Sequence, residues 1–359
     1  MEIIKIKNDN KKEFYKYYKN KYLNHPLKRD NLSEMLKDLL NGKSELCKSV
    51  DLKPLMVLEE NKIVMMCILA YAYRMPDFVQ IGFFEAEDYN KKAFNMILNE
   101  AITWANEKKA TKLSGSLNIH VNYGLGFLAS DYDKCQSFGA AHNPPFYNEF
   151  FENSGFETID LVSYKKDMRH AKELVSANII KRVNKTYSVR EVDFKNFKRD
   201  IEIYTEINNK SFKEHLFYYP RKTEEDFELF KSLKFLIKPE NLLFVEKNKD
   251  AVGFMLWYPD FNQLMSPKET VGIKTVIKNK LNGKNIDTFK IVEIGVVPEE
   301  RNKGAILSLF DYCFNCVKGN YDFMESSWIL AENYKSKGFG IQWADWESKK
   351  FKAYIKELV

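Results

Sequence analysis

The sequence predicts an α+β fold made twice: a mixed sheet covered by helices, in two copies of one domain. Three observations predict it. The segments "PLMVLEENKIVMMCILAY" (residues 54–71) and "NLLFVEKNKDAVGFMLWY" (residues 241–258) each read as an apolar strand, a polar turn and a second apolar strand. The segments "IGFFEAEDYNKKAFNMIL" (81–98) and "IGVVPEERNKGAILSL" (294–309) both open on Ile-Gly and pass through Asn-Lys into a helical pattern. A third pair, "KLSGSLNIHVN" (112–122) and "DFMESSWILAEN" (322–333), is strand-like and ends at Asn in both copies. Order is kept throughout, and an insertion in the second copy, "LMSPKETVGIKTVIKNKLNGKNIDT", explains the one change of spacing.

Each copy therefore reads as strand, helical segments, strand hairpin, strand, helix, strand, helix and final strand. In the first copy "KKEFYKYYKNKYL" and "NLSEMLKDLL" precede the hairpin, and "NKKAFNMILNEAITWANEKK" follows the next strand, with apolar residues every three or four positions. The second copy repeats this with "FKRDIEIYTEINNKSF", "EDFELFKSLKFLI" and "AILSLFDYCFNCVKG". The polar segment "KKDMRHAKELVSANIIKRVNK" is the connection and is helical in pattern, unlike a flexible Gly/Ser linker. The expected division is 1–168 and 169–359.

Composition narrows the function classes. Among 359 residues, 45% are hydrophobic and 14% aromatic, enough for two cores. The 56 basic and 50 acidic residues leave a net charge of +6, with the Lys spread along the chain, so a concentrated basic face for nucleic acid is not expected. The start "MEIIKIKNDN" has no leader pattern. The longest apolar run, residues 64–73, is too short for a membrane span, and a cytoplasmic protein is expected. The five cysteines include Cys313 and Cys316, but that pair falls inside a helical pattern, where it reads as two small buried hydrophobes. The five histidines form no ligand spacing, and no metal site is expected.

The stretch "IVEIGVVPEERNKGAILSLF" (291–310) switches from a β-branched strand to a helix across a short charged loop. A helix N-terminus presents unpaired N–H donors and partial positive charge to an anion. A glycine in such a loop lets an anion approach the backbone, and Arg301 and Lys303 add charge. With the order of elements around it, this stretch resembles motif A of the GCN5-related N-acetyltransferases, whose loop holds the pyrophosphate of coenzyme A. The resemblance implies acetyl-CoA or another acyl-CoA as acyl donor. It implies cofactor-binding roles for Val296, Val297, Arg301, Asn302, Lys303, Gly304 and Ala305, with Asn333 after the next strand. Ile306 departs from the pattern, which has Gly or Ala there.

A narrower resemblance rests on Asn143-Pro144-Pro145-Phe146-Tyr147, a following helix and Ser154-Gly155-Phe156, with Trp328 to Asn333 and Tyr354 in the second copy. The chain is similar in these residues to a bacterial family of tandem acetyltransferase-like proteins that includes the bacterial ceramide synthases. It implies a small-molecule amine acceptor met by Asn143, Pro144 and Tyr147; alternatively the Pro-Pro segment orders a long loop and Tyr147 packs beneath it. Gly115-Ser116 departs from the family, which has Pro after that Gly. On this reading Phe83, Phe84, Phe146 and Phe150 could line an apolar tunnel.

The sequence alignment sets Glu85, Asp88 and Lys92 of the first copy where the second has its cradle, so one coenzyme A per chain is expected, in the second copy. Acyl transfer to an amine needs a base, and Glu293 on the strand before the loop either serves as one or pairs with a neighbouring Lys. The family's acidic tyrosine has no counterpart at the expected place, since Tyr334 falls at the start of its helix. The leading expectation is a coenzyme A-dependent N-acyltransferase. A non-catalytic coenzyme A-binding protein and an aminoacyl-tRNA-dependent transferase are the alternatives, the latter requiring a basic surface.

Overall fold

A computed structural model describes residues 1–173, 176–332 and 343–358. The strands form one continuous sheet, in the order β1 (Glu2–Lys5), β2 (Val50–Glu59), β3 (Lys62–Ala72), β4 (Phe78–Ala86), β5 (Lys112–Gly115), β14 (Trp346–Glu357), β7 (Glu157–Asp167), β12 (Phe323–Ser326), β11 (Thr288–Val296), β10 (Asp250–Pro259), β9 (Leu242–Lys247) and β8 (Ser188–Glu191). The short strands β6 (Phe127–Leu128) and β13 (Ile329–Leu330) pair with β14 and β7. Among the described strands, only β4 with β5 and β11 with β12 run parallel, and every other pair is antiparallel. Read from either edge, the order and sense of the strands are the same, so the duplication seen in the sequence is a pseudo-two-fold of the sheet.

The hairpins show why the two copies fold alike. Glu60 and Asn61 turn β2 into β3 with φ of 49° and 61°, and Asn248 and Lys249 turn β9 into β10 with φ of 53° and 74°. Two successive left-handed residues match the twist of the flanking strands, and Asn is among the residues that tolerate that region. The central strand β4, "FVQIGFFEA", is buried along its whole length, as its near-continuous apolar sequence requires.

β14 carries the end of the second copy, yet it is inserted between β5 and β7 of the first. β7, which ends the first copy, in turn lies against β12 of the second. Each half of the sheet is thus closed by the other half's last strand.

Nine α-helices are described: α1 (Lys11–Leu23), α2 (Ser33–Leu40), α3 (Lys91–Lys108), α4 (Phe146–Glu152), α5 (Ala177–Val183), α6 (Phe197–Ser211), α7 (Thr223–Leu233), α8 (Ile273–Asn282) and α9 (Ala305–Val317). Helices α3 and α9 are the crossovers of the two parallel pairs, and their apolar faces build one core in each half around Phe94, Ile97 and Trp104 and around Leu309, Phe310 and Phe314. Residues 73–77 join β3 to β4, whereas the second half fills the corresponding connection, 260–287, with α8 and two short 3-10 turns.

Candidate functional site

The strand register fixes which residues of the halves correspond. The parallel ladders end at Ile81 opposite Gly115 and at Ile291 opposite Ser326. Ile81 therefore corresponds to Ile291 and not to Ile294, and the sequence alignment is three residues out of step along this strand. Both strands are nine residues long, so Phe83 corresponds to Glu293 and Ala86 to Val296. The loops that follow differ: residues 87–90 precede α3, and residues 297–304 precede α9.

Past Ile291, β11 continues while β12 stops, and the two diverge into a cleft of about 1980 Å3 whose lining includes β11 from Lys290 to Val296, Met324, and Ser326 to Glu332. Val297 donates its N–H to Val252 at 2.9 Å. Because polar groups along an antiparallel pair alternate in direction, Ile294 and Val296 turn theirs away from β10 and toward the cleft. The expected donors are thus corrected: Val296 faces the cleft, Val297 spends its N–H on the sheet, and Ile294 was missed.

Glu293 sits in this wall, partly buried. Tyr204 donates its hydroxyl to Oε2 at 2.5 Å, and Asn208 donates Nδ2 to Oε1 at 2.7 Å. Tyr204 and Asn208 are one turn apart on α6, which brings both side chains to one face. No Lys or Arg pairs with Glu293 among the described residues. Burial raises its pKa to about 7; the two hydrogen bonds and Arg221 oppose that rise, while Asp226 adds to it. Arg221 and Asp226 form a fully buried ion pair at 2.6 Å behind Tyr204, and Thr205 donates to Asp226 at 2.8 Å. The polar residues on the buried face of "YTEIN", at a four-residue spacing, were the one signal in the sequence for this arrangement.

The loop before α9 passes twice through the left-handed region. Asn302 and Gly304 have φ of 61° and 101°, and successive amides in such a turn point into a common concavity. Among the described residues nothing accepts the N–H groups of Asn302, Lys303, Gly304, Ala305 or Ile306. Gly304 caps α9 without a side chain. Its own reason for being glycine differs from the expected one: beyond its positive φ, a Cβ there would meet Val183 at 3.0 Å rather than an open approach. Arg301 lines the cleft and donates to Ser211 O at 2.7 Å and to Val296 O at 3.3 Å. Lys303 is exposed, 3.6 Å from Glu300. Ala305 is buried, and Asn333 and Tyr334 lie outside the described residues.

The first half differs at three of the corresponding places. Asn90 caps α3 by accepting from Ala93 at 3.0 Å. Phe83 donates its N–H to Asn118 Oδ1 at 2.7 Å, and Ala86 donates to the Tyr147 hydroxyl at 2.7 Å. Tyr147 itself is buried and donates to Glu85 at 2.8 Å. Asn143 is buried as well, accepting from Leu128 N at 2.7 Å and donating to Leu128 O at 3.2 Å. Asn143, Pro144 and Tyr147 therefore stand within and around the first core, not in the cleft wall. Phe84, Phe146 and Phe150 pack against one another and Tyr147 with ring centroids 5.1 to 5.9 Å apart, a filled cluster and not a tunnel.

A tandem GCN5-related N-acetyltransferase (GNAT) from the clavulanic acid biosynthesis pathway superposes on 99% of this chain and 98% of its own, with a TM-score of 0.55 at 10% identity. The chain has the tandem acetyltransferase fold. A probable N-acyltransferase from Enterococcus faecalis V583, described as a conserved protein of unknown function, shares this tandem fold over 99% of the chain and 72% of its own, with a TM-score of 0.58 at 11% identity. No family model matches. In sequence the chain is 24% identical over 187 residues to a bacterial ceramide synthase of Caulobacter vibrioides, covering 52% of this chain and 48% of that protein. It is 21% identical over 268 residues to protein YghO of Escherichia coli K12, covering 70% and 67%. The chain thus spans about half the length of the ceramide synthase it matches. Among the described residues, no cluster of His, Cys, Asp or Glu could hold a metal ion, and no helix is long and apolar enough to cross a membrane.

Proposed function

We propose that this chain is a coenzyme A-dependent N-acyltransferase that moves an acetyl or longer acyl group from a thioester to an amine, with the donor held in the second half, 169–359. The observation that carries the reading is Glu293: a carboxylate with no cationic partner among the described residues, held by Tyr204 and Asn208 in the wall of the cleft, with its pKa raised to about 7. A base acts best with a pKa near the working pH. Glu293 takes the proton from the amine as the nitrogen forms its bond to the acyl carbon, the C–S bond breaks, and the thiolate leaves with a proton from solvent. The N–H groups of Ile294 and Val296 supply dipoles for the oxygen that gains charge. The amides of residues 302–306 at the start of α9, which no described residue accepts, supply donors for the phosphates of the donor.

The acceptor or the acyl group is proposed to carry a long apolar chain. Leu32, Met35, Phe227, Leu229, Ile329 and Leu330, from both halves, are among the apolar residues lining the cleft, and the similarity to a ceramide synthase agrees with that choice. Thiol release from acetyl-CoA and from a long-chain acyl-CoA, measured over a panel of short and long-chain amines, tests the reading. Release that depends on the amine and is lost in Glu293→Gln supports it. Coenzyme A binding without release over the whole panel favours a non-catalytic binding protein.

A further inference from the structure

The second half carries an element that the first half lacks and that the sheet does not need. Helix α8 fills the connection between β10 and β11, which the first half spans with residues 73–77. It holds to the body through one face: Thr275 is buried, Asn279 donates to Leu236 O at 2.9 Å, and Lys278 turns inward to Leu264 O and to Glu269 at 2.6 Å. The opposite face is apolar and bare. Ile273 is 73% exposed, Ile277 51% and Leu281 75%, at a four-residue spacing that sets them in one stripe. Phe235, 67% exposed, stands next to Leu236 and so beside the helix. Ile273 and Phe235 also line the cleft, so the stripe and the cleft wall are continuous.

The residues flanking the stripe indicate what covers it. Lys274 and Lys280 flank it on its two sides, Lys284 follows the helix, and all three are exposed without an ion pair to a described residue. A second copy of this chain fits poorly, because a two-fold contact would set these lysines against their own counterparts. An apolar stripe edged by lysines matches the surface of an anionic phospholipid bilayer, with the side chains in the acyl boundary and the ammonium groups at the phosphates.

We propose that α8 and Phe235 form a membrane-surface docking face through which the cleft opens onto an anionic phospholipid bilayer. The face lies at the mouth, so a long-chain molecule can pass between bilayer and cleft without crossing water.

Co-flotation of the whole protein with phosphatidylcholine vesicles containing phosphatidylglycerol, against phosphatidylcholine alone, tests this without coenzyme A or any amine. The wild type is expected to float with the anionic vesicles. Ile273→Ser/Ile277→Ser/Leu281→Ser is expected to lose about tenfold or more in partitioning, with an unchanged unfolding midpoint because these side chains are already exposed. Lys274→Glu/Lys280→Glu is expected to lose the preference for phosphatidylglycerol. A wild type that floats with neither vesicle, or a serine variant that floats equally well, overturns the proposal. So does sedimentation velocity showing a dimer that the serine variant dissolves. None of these outcomes bears on acyl transfer, which thiol release reads separately.

Discussion

Phe83 and Glu293 occupy the same place in the two halves of the sheet. Each lies two residues past the last rung of its parallel ladder, and each meets the tyrosine that is the eighth residue of the helix packed on it, Tyr18 of α1 and Tyr204 of α6. Tyr18 meets a ring, with centroids 6.1 Å apart, and Tyr204 meets a carboxylate at 2.5 Å. One framework thus carries a hydrocarbon in one half and a titratable group in the other. On the proposed reading, this exchange, together with the acceptors that Asn118 and Tyr147 supply to Phe83 and Ala86, leaves the titratable wall to the second half alone.

If Glu293 is the base, Glu293→Gln should lower kcat by about 10²- to 10³-fold with little change in donor affinity. The wild-type kcat/KM should rise with pH through about 7, because the carboxyl group must lose its proton to accept one. The variant should lack that limb. Initial rates of thiol release between pH 5.5 and 9 check both.

The same shift makes a stability prediction of definite sign. The folded pKa is raised from 4.5 to about 7, so the stability that comes from keeping Glu293 neutral is fully present below the unfolded value and is lost as pH rises through about 7. Glu293→Gln has no proton to lose. It should be more stable than the wild type at pH 8, by roughly 1–3 kcal/mol, and the difference should shrink toward pH 5. Urea denaturation at the two pH values measures it.

Tyr147→Phe should act on the fold and not on the site. It leaves the N–H of Ala86 and the carboxylate of Glu85 short of one hydrogen bond each in the first core. The cost should be about 1–3 kcal/mol, with donor affinity unchanged. Chemical denaturation and donor titration of the same preparation separate the two effects.

The exchanged strands predict that the halves do not fold alone. Without β14, β5 and β7 lose their shared neighbour and the aromatic stack of Tyr354 on Phe151 at 5.1 Å is gone. A chain ending at Asp345 should show no cooperative thermal transition, since exposed sheet edges and an open core leave no stable unit. Differential scanning calorimetry would read a retained transition at the wild-type temperature as a contradiction.

The sequence carried the duplication, the hairpins and the strand-loop-helix units because each is a local pattern of period and turn chemistry, as at Glu60-Asn61 and Asn248-Lys249. It did not carry the exchange of β7 and β14. Both strands have the same alternation whichever neighbours they pair with, and nothing local names the partner. Glu293 stood out as a carboxylate in an apolar strand, but its partners Tyr204 and Asn208 lie some 90 residues away on a helix that reads as ordinary amphipathic. The three-residue slip along β4 had a physical cause. Ile-Gly occurs in both strands, and the repeated dipeptide outweighed the ladder ends, which only the fold displays. The residues left open whether Tyr147 meets an acceptor or packs beneath the Pro-Pro loop, and the short helix that holds it turns its hydroxyl inward to Ala86, as in the second reading.

The central claim is one coenzyme A per chain, held by the amides of residues 302–306, which no described residue accepts. Calorimetric titration of coenzyme A into the wild type, Ile306→Glu and Lys92→Glu tests it most directly. Ile306 lines the cleft at the start of α9, and a carboxylate there opposes the phosphates, whereas Lys92 is exposed at the capped start of α3. The account predicts a stoichiometry of one, a weakening of about thirtyfold or more in Ile306→Glu, which is about 2 kcal/mol, and unchanged binding in Lys92→Glu. Two equivalent sites per chain, or an Ile306→Glu protein that binds as the wild type does, would contradict it.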